Sequence, residues 1–206
     1  MYGLKQAPRA WNARLDQELK KLGFNRSLEK HAVYRKGTCS TLILVGVYVD
    51  DLIICGPDSK GIAEFKQQMK KSFDMSDLGL LSYYLGLEVK QKPIEIIVCQ
   101  SAYGEKIVEI SGMKGCNPVD TPMEQHIKLL PVKPELVANA TQFRSLVGSP
   151  RYLVNSRPDL AYSVGMVSRF TETPNSEHWG AMKRIIRYVA GTIKLGCRYV
   201  KGHILS

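Results

Sequence analysis

The feature that most constrains this chain is a β-rich run broken by two acids. Thr41-Leu-Ile-Leu-Val-Gly-Val-Tyr-Val49 is rich in β-branched and aromatic residues, Asp50 and Asp51 interrupt it, and Leu52-Ile-Ile-Cys55 resumes the same character. The pattern reads as two strands joined at Asp50-Asp51, a hairpin with a two-residue turn. Asn-Gly or Asp-Gly would serve a plain turn better, because glycine tolerates the positive φ such turns require. Adjacent like charges also cost Coulomb energy unless a cation offsets them. A hard divalent ion such as Mg²⁺ prefers oxygen ligands and takes one or two carboxylates together with substrate phosphates. The acidic pair therefore has two readings: a metal site held by rigid apolar strands, or a polar tip that keeps the hairpin soluble.

Around this hairpin the chain alternates helical and extended patterns. Pro8 opens a helical stretch in which Trp11, Leu15, Leu19 and Leu22 form one apolar stripe, with Gly23 placed to end it. A second helix is predicted from Ser59 to Phe73, with Ile62, Phe65, Met69 and Phe73 on one face. Tyr83 to Lys90 and Ile94 to Cys99 read as a second hairpin turning at Lys92-Pro93, followed by a helix from Ala102 to Ile110. Pro118, Pro122, Pro131 and Pro134 then mark a connection across 113–140. The last third reads as helical, over Thr141–Val154, Pro158–Phe170 and Ser176–Ala190, with Trp179, Met182, Ile186 and Val189 as the buried stripe of the final helix. Lys183, Arg184 and Arg187 share its other side.

Charge narrows the classes of function. The 206 residues carry 29 Lys+Arg against 19 Asp+Glu, a formal charge of +10 that would draw polyanions, nucleic acid first among them. From Thr141 onward ten basic residues face three acidic ones, so most of the excess lies in the last third. With 44 % apolar residues, general disorder is excluded. The longest apolar run, Leu42 to Val49, is too short to span a bilayer, so no membrane partner is expected. Cys39, Cys55, Cys99, Cys116 and Cys197 have no C-x-x-C spacing and read as reduced thiols. Met1-Tyr2-Gly3-Leu4 does not open a secretory signal, so an intracellular location, cytoplasmic or nuclear, is expected.

These residues resemble the reverse transcriptase of copia-type retrotransposon Pol polyproteins. Tyr48-Val49-Asp50-Asp51 resembles the Y-x-D-D box, and Tyr2-Gly3-Leu4-Lys5-Gln6-Ala7-Pro8-Arg9-Ala10-Trp11 is similar to the family's Y-G-L-K-Q-A-P-R-x-W segment. Further blocks follow in the family's order: Met75–Gly79, Tyr84–Val89, Thr121-Pro122-Met123, Phe143–Ser149, Arg157–Tyr162, His178-Trp179 and Lys183–Tyr188. The resemblance implies an α+β fold, with a partial palm of β-hairpins and helices (1–112), the proline-rich connection (113–140) and a basic helical thumb- or connection-like region (141–206). It implies templated DNA synthesis with Mg²⁺ or Mn²⁺ at a two-metal site, of which Asp50 and Asp51 supply two of three carboxylates. Tyr48, Val49, Gly3, Lys5, Gln6 and Pro8 would lie near the nucleotide and primer, and Lys183, Arg184 and Arg187 would face the nucleic-acid backbone. Implied partners are an RNA or DNA template-primer, dNTPs and the rest of Pol: fingers, ribonuclease H and integrase.

The family's first palm aspartate lies upstream of the Y-G-L-K block, within which this chain opens. Asp16, Asp58, Asp74, Asp77, Asp120 and Asp159 follow no β-rich run that would bring one beside Asp50. The expectation is therefore a polymerase fragment that is inactive alone. A non-catalytic basic nucleic-acid-binding module and a non-functional retroelement relic are the alternatives. Pro150 stands where relatives carry an apolar helix former, and a kink or break is expected there.

Overall fold

The computed structural model describes residues 6–127, 129 and 139–201. Helix and strand are mixed, and the chain divides into two compact units that part between Leu80 and Leu81.

The first unit opens with α1 (Ala7–Lys21), which has Pro8 in its first turn, Lys20 and Lys21 in its last, and Leu15 and Leu19 buried. Gly23, at φ +84°, turns the chain out of the helix as expected. Four antiparallel strands follow in sheet order, β1 (Asn25–Arg26), β2 (Val33–Lys36), β3 (Ile43–Tyr48) and β4 (Asp51–Cys55). The first two were not anticipated, because neither is a long apolar run: β2 reads Val-Tyr-Arg-Lys. After β4 comes α2 (Ser59–Ser72), capped by Asp58, whose Oδ1 accepts the Gly61 N–H at 2.9 Å. The two helices and the sheet enclose Leu15, Leu19, Phe24, Tyr34, Ile43, Val45, Phe65, Met69 and Phe73.

The expected hairpin is present with a different turn. Tyr48 pairs with Asp51, so the two turn residues are Val49 and Asp50, while Asp51 is the first residue of β4. The ladder closes one residue earlier than the acids suggest.

The second unit holds another antiparallel sheet, β5 (Tyr83–Tyr84), β6 (Leu87–Gln91), β7 (Glu95–Cys99) and β8 (Gly196–Val200). The strand expected over Tyr83–Lys90 is interrupted at Leu85 and Gly86, both at positive φ (48° and 80°), and the Tyr152 hydroxyl donates to the Leu85 carbonyl. Helices α3 (Ser101–Ile110), α4 (Ala140–Leu153), α5 (Ala161–Ser168) and α6 (Ser176–Gly191) surround a core of Ile107, Phe143, Val147, Leu160, Met182, Ile185, Ile186 and others. Asn175 caps α6, accepting the His178 N–H at 2.9 Å while His178 Nδ1 accepts the Asn175 N–H at 3.1 Å.

The last third also carries a strand, β8, which returns to pair with β7, and residues 113–206 share the second unit with residues 81–112. Pro150 does not break α4, which continues to Leu153. The proline sits buried in the last turn, where it forgoes the bond its missing N–H would make. Pro131 and Pro134 lie outside the described residues. No helix among the described residues is long and apolar enough to cross a membrane.

Candidate functional site

The site is built on the β3–β4 hairpin. Ile43 and Val45 are buried in the core of the first unit and Val47 packs against it, so alternation carries Leu44, Gly46 and Tyr48 to the opposite face. Cross-strand partners share a face, which sets Asp51 beside Tyr48 and Ile53 beside Gly46. Tyr48 is 51 % exposed, and Asp50 and Asp51 are exposed at the end of the ladder.

Val49 carries the turn at φ +51°. A β-branched residue in the left-handed region is an outlier whose strain is about 1–3 kcal/mol. Its carbonyl accepts a hydrogen bond from Trp11 Nε1 at 3.0 Å. The Trp11 ring meets Phe73 edge-on, with centroids 5.0 Å apart at 74°. Three residues along α1, Arg14 donates from Nη2 to the Ser72 carbonyl at 2.9 Å and sets its guanidinium over the Phe73 ring. Two motifs almost forty residues apart in sequence thus meet at one hydrogen bond.

Of the other residues expected at the site, Gln6 is the N-cap residue of α1 and Pro8 lies in its first turn, both exposed on the helix that carries Trp11. Gly3 and Lys5 lie outside the described residues. Four of the other aspartates are engaged elsewhere. Asp16 accepts from Tyr34 and pairs with Lys20, Asp58 caps α2, Asp77 pairs with Lys66, and Asp159 pairs with Arg157. Among the described residues no three His, Cys, Asp or Glu side chains gather where they could hold a metal ion. The exposed carboxylate pair suits Mg²⁺ or Mn²⁺ in donor chemistry, and two carboxylates are one short of the set that the family resemblance implies.

The basic trio on α6 is divided. Arg184 donates to Glu124 at 2.8 Å and to Thr121 Oγ1 at 3.0 Å, and Arg187 donates to the Asn117 carbonyl at 2.7 Å. These two arginines hold the connection against the helix, while Lys183 is exposed. Sequence reasoning placed Trp11 in the apolar stripe and in the Y-G-L-K-Q-A-P-R-x-W segment, but not against the acidic hairpin. The indole N–H, a donor that seeks a partner when half-buried, was the available signal of a second task.

Comparison with known proteins supplies the class. The reverse transcriptase (RNA-dependent DNA polymerase) family matches residues 1–125, and the chain belongs to that family. It is 39 % identical over 202 residues, 93 % of its length, to the retrovirus-related Pol polyprotein from transposon TNT 1-94 of Nicotiana tabacum. It is 35 % identical over its whole length to the Pol polyprotein from transposon RE2 of Arabidopsis thaliana. A transposon Ty5-1 protein of Saccharomyces cerevisiae is 33 % identical over 208 aligned residues, which make up 68 % of that protein. The chain spans only 15 % and 14 % of the two Pol polyproteins, so it corresponds to a reverse transcriptase segment of such proteins. No solved structure matches it.

Proposed function

We propose that this segment supplies the Y-x-D-D part of an RNA-directed DNA polymerase active site of copia type and works only together with other parts of Pol. The observation that carries the reading is the Trp11–Val49 hydrogen bond, which joins the Y-G-L-K-Q-A-P-R-x-W block to the acidic hairpin. In this reading the first unit is part of a palm, and the helices after Asn139 belong to a thumb- or connection-like region.

Asp50 and Asp51 would hold Mg²⁺ or Mn²⁺, and the bound metal would ease attack of the primer 3′-hydroxyl on the nucleotide α-phosphate. Tyr48, on the same face as Asp51, offers its ring to the primer end and the incoming dNTP. Gln6 and Pro8, at the start of the helix that carries Trp11, would lie toward the nucleotide and primer. The third carboxylate would come from another segment of Pol, as would the fingers, with ribonuclease H and integrase as further partners. The template-primer, RNA or DNA, is the macromolecular substrate.

Primer extension on poly(rA) with Mg²⁺ or Mn²⁺ tests this. The chain alone is expected to give no extension, and processive synthesis that disappears in Asp50→Asn would overturn the claim of dependence on other segments. Mn²⁺ affinity left unchanged by Asp50→Asn and Asp51→Asn would overturn the metal assignment itself.

A further inference from the structure

We propose that Trp11 is a positioning residue for the carboxylate pair, holding Asp50 in place by fixing the Val49–Asp50 peptide. The two acids are supported differently. Asp51 is held by the ladder, opposite Tyr48. Asp50 lies in the turn, beyond the last pair, after a residue whose conformation is unfavourable for its type.

A two-residue hairpin turn that begins at positive φ ordinarily has glycine, asparagine or aspartate first, and here valine stands there. Val49 is 66 % exposed, so packing gives it little reason to stay. The support is on the backbone, where Trp11 Nε1 donates to the Val49 carbonyl at 3.0 Å. A peptide is planar, so an oxygen fixed in direction also fixes the Asp50 N–H and Cα in the same plane. The donor is itself fixed, by the edge-on Trp11–Phe73 contact and by Arg14 on the Ser72 carbonyl and the Phe73 ring. The C-terminal end of α2 thereby reaches the acidic turn through α1. The consequence for metal binding rests on the reading proposed above; the backbone assignment does not.

A double-mutant cycle on the whole chain tests it, read by amide hydrogen exchange at Tyr48 and Asp51 relative to α2. Trp11→Phe keeps a ring on Phe73 and removes the N–H. It is expected to speed exchange at the hairpin about tenfold, the weight of one net hydrogen bond. In a Val49→Gly background, where the turn adopts positive φ unaided, the same change should matter less than about twofold. Equal acceleration in both backgrounds, or none in either, overturns the proposal. If Trp11→Phe opens the whole unit, the wild-type protein still decides. Its Trp11 indole hydrogen should exchange at least about tenfold more slowly than that of free tryptophan, and exchange as fast as the free indole overturns the assignment.

Mn²⁺ titration followed by electron paramagnetic resonance reads the functional consequence. Affinity should fall about tenfold in Trp11→Phe and return to within about twofold when Val49→Gly is added. Unchanged affinity in Trp11→Phe, with loss in Asp50→Asn, sinks the positioning role and leaves the metal reading intact. Unchanged affinity in Asp50→Asn sinks the metal reading, and the exchange cycle then judges Trp11 alone.

Discussion

The Tyr34 hydroxyl donates to Asp16 Oδ1 at 2.8 Å, tying β2 to the middle of α1. Burial, reinforced by that carboxylate, pushes the phenol up from its usual 10 to about 12. Hydrogen bonds from Lys20 and then Tyr34 hold the Asp16 carboxyl below the ordinary range. The raised phenol contributes stability that is whole below pH 10 and is lost as pH rises through about 12. Asp16 acts at the other end: its contribution is present above the unfolded carboxylate range and is lost as pH falls through the folded value. Urea unfolding between pH 8 and 12 should therefore lose on the order of 2 kcal/mol in the wild type and much less in Tyr34→Phe. Parallel pH profiles for the two proteins would count against this coupling.

Pro150 continues α4 without an N–H to give the preceding turn. Pro150→Ala restores that donor and removes little volume, so thermal unfolding should show a gain of about 2 kcal/mol. A loss would mean that the buried ring contributes more by packing than the helix forfeits in hydrogen bonding.

Arg157 is 2 % exposed and reaches four acceptors. It donates to both oxygens of Asp159 and to the carbonyl and Oγ1 of Thr192, at 2.7 to 3.3 Å. The Tyr188 hydroxyl adds a bond to Asp159 at 3.0 Å. Burial opposes ionisation of Asp159, but Arg157 and Tyr188 outweigh it and hold the carboxyl below its usual range. Lysine cannot supply this fork, so Arg157→Lys should destabilise the second unit by about 3 kcal/mol in denaturant titrations. A cost below about 0.5 kcal/mol would show that the network is no stronger than a surface pair.

The divided basic trio separates binding from bracing. If the last helix meets nucleic-acid phosphates, Lys183→Ala should lower the salt dependence of binding by about one unit of log–log slope and leave folding unchanged. Arg184→Ala and Arg187→Ala should instead speed proteolytic cleavage near Asn117–Glu124, where those side chains hold the connection. Equal effects of all three on binding, with no change in proteolysis, would reverse this division.

Local patterns made much of the fold legible. The α1 stripe, the α2 face and the existence of the acidic hairpin followed from periodicity, and Gly23 from its place after the stripe. The turn was misplaced by one residue because Val49 is a residue type that steric reasoning keeps away from positive φ. What holds it there, Trp11, lies 38 positions away. Strand β8 escaped for a similar reason: Gly-Cys-Arg-Tyr-Val carries little periodic signal, and its partner is distant. At the site, the carboxylates were visible as a motif, while the Trp11 bond beside Asp50 is a tertiary contact. Arg184 and Arg187 were legible as a charged face, but not as partners of a connection some sixty and seventy residues earlier.

The pairing of β7 with β8 also sets an order of events during synthesis. Arg198 and Glu95, which meet across it, stand 103 positions apart. The first unit can close its sheet as soon as residues up to Cys55 have left the ribosome, because all its strands are near neighbours in the chain. The second must wait with the β7 edge and its Ile96-Ile97-Val98 run unpaired until Val200 emerges. At ordinary elongation rates of roughly 5–20 residues per second, that is an exposure of several seconds. A transcript broken before the codons of β8 would leave this edge open for good, a substrate for chaperones or for aggregation.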